Sequence, residues 1–334
     1  MSLGASLAVR VWRPWVALWD RREPATSMAL TRIFVGSVLF LDMLLGVYRG
    51  AMPPLIAPPP RGFGVLAPAW PDIIPAPMGG EDVAWFWWGL VVVSSFLFAV
   101  GAFHRVAGTI LSLGLINFAR FDPDGDAIDT LYRIVVPLLT LSQANARLSV
   151  DAWMARISEK PLPAFVPAWP RYLLMLQLLW MYFSAGHCRD DAAWWPWGGF
   201  TAIGHVMGDP HFARFAPGSL RAFYPLTRIG TAVSMTFELS APLMIFFTAF
   251  RDRGGGAFGA FARQVRARWL WLGAGVLLHI GIAITMTLGM FPYGVLALYA
   301  LFLHPDEWEA IFRRVLRREA VAPSAAGRLP LEVR

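Results

Sequence analysis

The chain has 334 residues, 57% of them hydrophobic and 15% charged, with a formal net charge of +7. Soluble domains carry about 25% charged residues, so this composition excludes an ordinary soluble protein and predicts an integral membrane protein. A single cysteine, Cys188, excludes an intramolecular disulfide and any multi-cysteine metal site, and no metal is expected. The basic surplus invites a nucleic-acid reading. The arginines flank apolar runs, however, which is the pattern of topology control, so no nucleic-acid partner is expected.

Residues 7–22 place Trp12, Trp15, Val16 and Trp19 at helical spacing between arginines, as a helix lying in the bilayer interface does. Nothing there resembles a cleavable leader, so the apolar run near Met28 is expected to be an uncleaved first span. Crossing a bilayer takes about 20 apolar residues. Such runs fall at 28–48, 83–102, 104–120, 127–143, 170–188, 228–250, 269–289 and 290–304. Pro137 and Pro242 predict kinks inside two of them, and Gly289-Met290-Phe291-Pro292 predicts a tight turn between the last two.

The predicted fold is therefore all-α: a polytopic transmembrane helical bundle of about eight spans, with interfacial amphipathic helices at both ends. Residues 1–27 form an interfacial segment, 28–304 the bundle, and 305–334 a basic amphipathic helix and tail. In that last helix Trp308, Ile311, Phe312, Val315 and Leu316 alternate with Arg313, Arg314, Arg317 and Arg318, so it should lie on anionic headgroups of the lipid bilayer.

With an inside N-terminus, twenty of the basic residues fall in inside segments and seven in outside ones. The positive-inside rule then makes both termini cytoplasmic. Two long loops are expected outside: 49–82, rich in proline, and 189–227, with Trp194, Trp195, Trp197, His205 and His211. No internal repeat suggests a transporter built from two halves.

Arg32, Asp42, Asp129, Arg133, Glu238 and His279 lie within the apolar runs. A charge near the bilayer centre costs at least ~2.5–3.5 kcal/mol, so such residues face a bundle interior or a watery cavity. Asp129 and Arg133, four apart on one helix face, are expected to pair structurally. Arg32 reads as a snorkelling structural residue. Counting residues puts Glu238 and His279 near the midplane, where they read either as a proton-handling pair or as a structural hydrogen bond. With Asp42 and with His187 and Arg189 at the outer end of the fifth span, they outline an outward-opening pocket. A metal site from His187, Cys188, His205 and His211 has no supporting spacing.

Several stretches resemble one known family. Asp124-Gly125-Asp126 through Asp129-Thr130-Leu131 to Ser149-Val150-Asp151, Tyr182-Phe183-Ser184-Ala185-Gly186 followed by Trp194 and Gly198, Phe237-Glu238-Leu239 through Pro242, and Leu278-His279-Ile280-Gly281-Ile282-Ala283 occur in order, with Leu303-His304-Pro305 before Trp308. They resemble the HTTM family, the membrane domain shared by vitamin K-dependent γ-glutamyl carboxylase and bacterial relatives such as sporulation-delaying protein B. The resemblance covers roughly residues 28–310. It implies a bacterial cytoplasmic membrane protein related to γ-carboxylases, with reduced quinone as the candidate cofactor and a secreted peptide as a candidate substrate.

One departure limits that implication. Carboxylase-like members carry a lysine just after the glycine of the fifth span, as base towards the reduced quinone. The corresponding segment here is His187-Cys188-Arg189-Asp190-Asp191, and the only lysine is Lys160, in an inside loop. Arginine is effectively never deprotonated and makes a poor base. True vitamin K-dependent carboxylation is therefore not expected. The expectation is an enzyme-like protein acting on a lipid-soluble or secreted-peptide substrate. The alternative is a non-catalytic membrane factor for peptide maturation or export, with a small-molecule transporter third. The site residues expected are Glu238, His279, Asp129, Arg133, His187, Arg189 and Asp42.

Overall fold

A computed structural model describes Trp12, Val16 and residues 19–48, 50, 81–118, 127–216, 222–251 and 255–321. The helices follow the apolar runs closely: α1 is Thr26–Tyr48, α2 Glu81–Val100, α3 His104–Phe118, α4 Ala127–Leu141 and α5 Val150–Ile157. After them come α6 Trp169–His187, α7 Ala202–Gly208, α8 Tyr224–Leu239, α9 Leu243–Ala249, α10 Gly256–Gln264, α11 Ala267–Thr285, α12 Phe291–Leu298 and α13 Pro305–Val321. Of these, α1 and α11 are each long and apolar enough to cross a membrane, and α8 with α9 makes a third such segment if the bent pair is one span. Loop 49–82, the Asp124–Asp126 stretch and the chain beyond residue 321 lie mostly or wholly outside the described residues.

The α8–α9 break is the bend expected at Pro242. The two helices meet at 61°, because proline supplies no backbone N–H and its ring crowds the preceding turn. Pro137, by contrast, sits inside an uninterrupted α4. The turn before α12 forms as expected, with Gly289 at φ 50° and the Phe291 N–H donating to the Leu288 carbonyl.

The helical reading needs one addition. Arg22–Pro24 (β1) and Phe165–Pro167 (β2) pair antiparallel, Glu23 opposite Val166. This ribbon ties the N-terminal segment to the α5–α6 loop. It also delivers Glu23 to Arg171, which donates from Nε at 2.6 Å and from Nη2 at 2.9 Å. Arg171, at the start of the run at 170–188, is one of the twenty basic residues that the positive-inside count assigns to inside segments. It is 1% exposed inside the first turn of α6, in a buried two-pronged ion pair.

Arg32 is likewise no snorkeler. It is fully buried and donates to the carbonyls of Ala144, Phe98, Ala99 and Leu148. Phe98 and Ala99 belong to the last turn of α2, whose carbonyls have no partner within the helix. Arg32 therefore caps α2 from α1.

These contacts gather the segments read as inside at one end of the molecule. Asp151 accepts from the backbone of Phe103 and His104, Arg147 meets Glu309 at 2.7 Å, and Arg268 pairs with Glu307. At the other end, the segment after α6 packs on the end of α11. Arg214 donates to the Ala283 carbonyl at 2.6 Å, and the Thr287 N–H to the Phe212 carbonyl. Between the two ends runs an apolar core that includes Phe98, Leu111, Leu139, Leu178 and Phe302, all buried.

Candidate functional site

The site is built where the end of α6 meets α8. Glu238 is buried at 6% exposure, near the C-terminus of α8. Its Oε1 accepts from Arg189 Nη2 at 2.6 Å and from the Ser234 hydroxyl, one turn back, at 3.2 Å. Glu238 Oε2 and Arg189 Nη1 are both buried and make no hydrogen bond among the described residues. Two features set this approach. Gly186 has no side chain to obstruct it, since a Cβ there would lie 2.9 Å from the Glu238 Cβ. Above it, the Arg189 guanidinium lies 3.4 Å from the centre of the Trp194 ring, and the Trp195 indole N–H donates to the Arg189 carbonyl.

Next to this pair stands a buried aromatic cluster with a polar chain through it. The Tyr182 hydroxyl lies 3.3 Å from His279 Nε2 and 2.9 Å from the Tyr299 hydroxyl. His279 Nδ1 is 2.7 Å from the Gly275 carbonyl, which makes Nδ1 the protonated nitrogen and leaves Nε2 to accept from Tyr182. The Tyr182 ring stands edge-on to Phe237 at 4.9 Å, and Phe237 stacks on Trp271 at 4.2 Å. Since Phe237 precedes Glu238, the ion pair and the Tyr182–His279–Tyr299 chain are neighbours.

The expected residues therefore sort differently from the sequence reading. Glu238 and His279 share this region but are not partners. Arg189 pairs with the glutamate and Tyr182 with the histidine. Glu238 packs beside Gly186, in the last turn of α6. Asp129 and Arg133 form no ion pair with each other within 4 Å among the described residues; Asp129 and Asp42 both lie within electrostatic reach of Tyr132, whose hydroxyl donates to the Gly294 carbonyl. His187 is exposed and stacks on Phe183 at 5.7 Å. Cys188 is exposed. Among the described residues no three His, Cys, Asp or Glu side chains come together as a metal site would need.

Tyr182, Ser234, Trp194 and Tyr299 were not foreseen as site residues. Ser234 stands four residues before Glu238, the spacing that puts two side chains on one helix face, and Tyr182 opens the Tyr182–Gly186 stretch. Tyr299 carried no signal, because only packing brings it to Tyr182.

The lysine that the resemblance implies for reduced-quinone chemistry has no counterpart among these residues. Where a base is needed stands Arg189, held by Glu238. Lys160 lies in the α5–α6 connection, at the opposite end of α6 from this site.

A bundle of apolar helices with ionised and phenolic groups sealed inside it defines a helical membrane protein with a buried polar site. The HTTM domain profile matches residues 20–308, and the chain belongs to the HTTM domain family, a membrane-associated and carboxylase-related domain. No solved structure matches the chain.

Proposed function

We propose that this HTTM protein crosses the membrane eight times and works on a lipid-soluble or secreted-peptide substrate at the face away from its arginine-rich end, with Arg189 and Glu238 as the groups that meet it. Support for eight crossings comes from the alternation of the loops. Each of the segments α1, α2, α3, α4, α6, α8–α9, α11 and α12 leads from one loop group towards the other.

The observation that carries the site is the one-sided ion pair. A guanidinium and a carboxylate that could join by two parallel hydrogen bonds join by one. A buried donor and a buried acceptor are left without hydrogen bonds among the described residues, each of which costs about 1–3 kcal/mol when unsatisfied. A hydroxyl or amide that both donates and accepts completes this arrangement. Both a hydroxylated lipid-soluble molecule and a peptide backbone offer such a group. The Tyr182–His279–Tyr299 chain beside it provides groups able to relay a proton. Carboxylation through a reduced quinone is not part of the proposal, because Arg189, effectively never deprotonated, stands in the segment that resembles the family's lysine position.

The test is mass spectrometry of molecules that co-purify with the intact chain and with Glu238→Gln and Arg189→Gln. A small molecule or peptide retained by the unaltered protein and lost from both variants, with folding preserved, supports the site. An identical set of co-purifying molecules in all three would sink it. Incorporation of labelled bicarbonate into a glutamate peptide in the presence of reduced quinone would overturn the exclusion of carboxylation.

A further inference from the structure

The cover over the Arg189–Glu238 site is built as a movable body. We propose that residues 191–198 form a lid that closes this site and swings open about Gly199 and Phe200 to admit substrate. The inference rests on the reading of Arg189 and Glu238 as the groups that meet substrate.

The segment is folded on itself. It consists of two 3₁₀ turns, Ala192–Trp194 and Pro196–Gly198. The Asp191 carboxylate accepts from the Ala193 N–H at 2.8 Å. The N–H groups of Trp194, Trp195 and Gly198 donate to the carbonyls of Asp191, Ala192 and Trp195. A Cβ at Gly198 would lie 2.0 Å from the Ala192 carbonyl oxygen, so the loop closes only with glycine there. Among the described residues, no hydrogen bond from 191–198 reaches beyond Arg189 on one side and Thr201 on the other.

The polar ties of this body to the rest of the molecule therefore end on Arg189. The Trp194 ring covers its guanidinium at 3.4 Å, and the Trp195 indole N–H donates to its carbonyl at 2.8 Å. With the cover in place, the side chains of Arg189 and Glu238 are 19% and 8% exposed. Lifting the cover frees the residue that holds Glu238.

Both ends of the lid are fixed. Before it, the Cys188 N–H donates to the Ser184 carbonyl in α6. After it, Arg228 of α8 donates from Nε to the Gly199 carbonyl at 2.6 Å, and the Ile203 N–H donates to the Thr231 hydroxyl of α8 at 3.1 Å. The pivot is Gly199 at φ 74° followed by Phe200 at φ 56°. Glycine enters this left-handed region without steric cost, and phenylalanine does not. A rotation that takes Phe200 out of it is relieved of strain, and a few loop residues that absorb such a change are how hinges work. Contacts on Arg189 hold the lid shut while the hinge favours opening. Trp195 and Trp197 stack in parallel at 5.1 Å, with Trp197 74% exposed. Tryptophans settle at the headgroup level of a bilayer, so the outer edge of the lid stays in the interface as it moves.

Thiol labelling of the full chain in detergent tests this. Cys188→Ser removes the only cysteine, and Ser234→Cys then places one thiol beneath the pair, at a position 4% exposed. Its modification by a charged methanethiosulfonate, read by intact mass, should be slow. Trp194→Ala should speed it about tenfold, the scale of one desolvated cation–π contact, and Gly198→Ala should speed it too. Trp180→Ala, which removes an exposed tryptophan of α6, should leave it unchanged. Equal rates with and without Trp194, or the same acceleration from Trp180→Ala, would overturn the lid. Hydrogen exchange on the unaltered chain reads the motion directly. The amides of Ala193, Trp194, Trp195 and Gly198 should exchange as one group, faster than those of α6 and α8, and exchange as slow as that of α8 would overturn the lid. Neither readout needs a ligand. Retention of every co-purifying molecule by Glu238→Gln and Arg189→Gln would refute the site reading alone, whichever way the lid behaves.

Discussion

Arg189 meets Glu238 through one oxygen only: Nη2 lies 2.6 Å from Oε1, while Nη1 and Oε2 are buried without hydrogen bonds among the described residues. The pair is thus charge-balanced but not saturated. Removing either partner has unequal consequences.

Arg189→Ala leaves the Glu238 carboxylate buried and unpaired, and breaking one side of a buried pair typically costs ~3–5 kcal/mol. Glu238→Gln keeps the shape and removes the charge on the better-buried side, so its cost should be smaller. Thermal melting of the two variants in detergent should rank Arg189→Ala well below Glu238→Gln. The reverse order would show that Glu238 is held by something other than Arg189.

Gly275 is the point where α11 admits the aromatic cluster. A Cβ there would lie 2.0 Å from the Tyr299 hydroxyl and 2.7 Å from Phe237 Cζ. Gly275→Ala should therefore destabilise by about 1–3 kcal/mol, the usual cost of overpacking. Tyr299→Phe removes the nearest atom and should recover part of that loss in the double variant. Strict additivity of the two substitutions in a melting cycle would show that Tyr299 is not the obstacle.

His304, between the last turn before α13 and α13 itself, gives a pH dependence. Burial, opposed by its contact with Asp306, holds its pKa below the ordinary 6.5. The unfolded chain takes up this proton at a higher pH than the folded one, so the unfolded state binds more protons in that window. Stability is then fully present above about pH 6.5 and falls as pH drops through the folded-state value. Melting temperature should decline below neutral pH, and His304→Gln should flatten the decline. A profile that the substitution leaves unchanged would assign the dependence elsewhere.

The convergence of Arg147, Arg171, Arg251 and Arg268 at one end fits that end being cytoplasmic under the positive-inside rule. Reporter fusions after Arg334 and near Ala216 should then lie in opposite compartments, the first inside. Finding both on one side would refute this topology and the outward placement of the Arg189–Glu238 site.

Much of the helix layout was readable because apolar runs and helices share a cause. The run at 28–48 became Thr26–Tyr48, and that at 170–188 became Trp169–His187. Pairing was not readable. Arg189 and Glu238 are 49 residues apart, and Arg171 and Glu23 are 148 apart. Which faces meet depends on helix rotation and tilt, which hydropathy does not encode. The residue count that put Glu238 and His279 at a similar depth carried no information on which helix faces meet. Family-like stretches located the site region better than depth did, since Tyr182 through Gly186 supplies both a phenol and the gap that Glu238 enters.

Arg32 sets a timetable for biosynthesis. One of its acceptors, the Leu148 carbonyl, lies 116 residues downstream, and the first of them, Phe98, lies 66 downstream. Ribosomes add about 5–20 residues per second, so α1 waits on the order of ten seconds with a bare guanidinium before its last acceptor is made. During that interval the first helix cannot hold its final depth in lipid unaided. It should remain beside the insertion machinery, or ride shallow, until α2 and the loop before α5 arrive. A translation-arrest series should accordingly record a late inward pull once residue 148 has emerged, and Arg32→Leu should erase it.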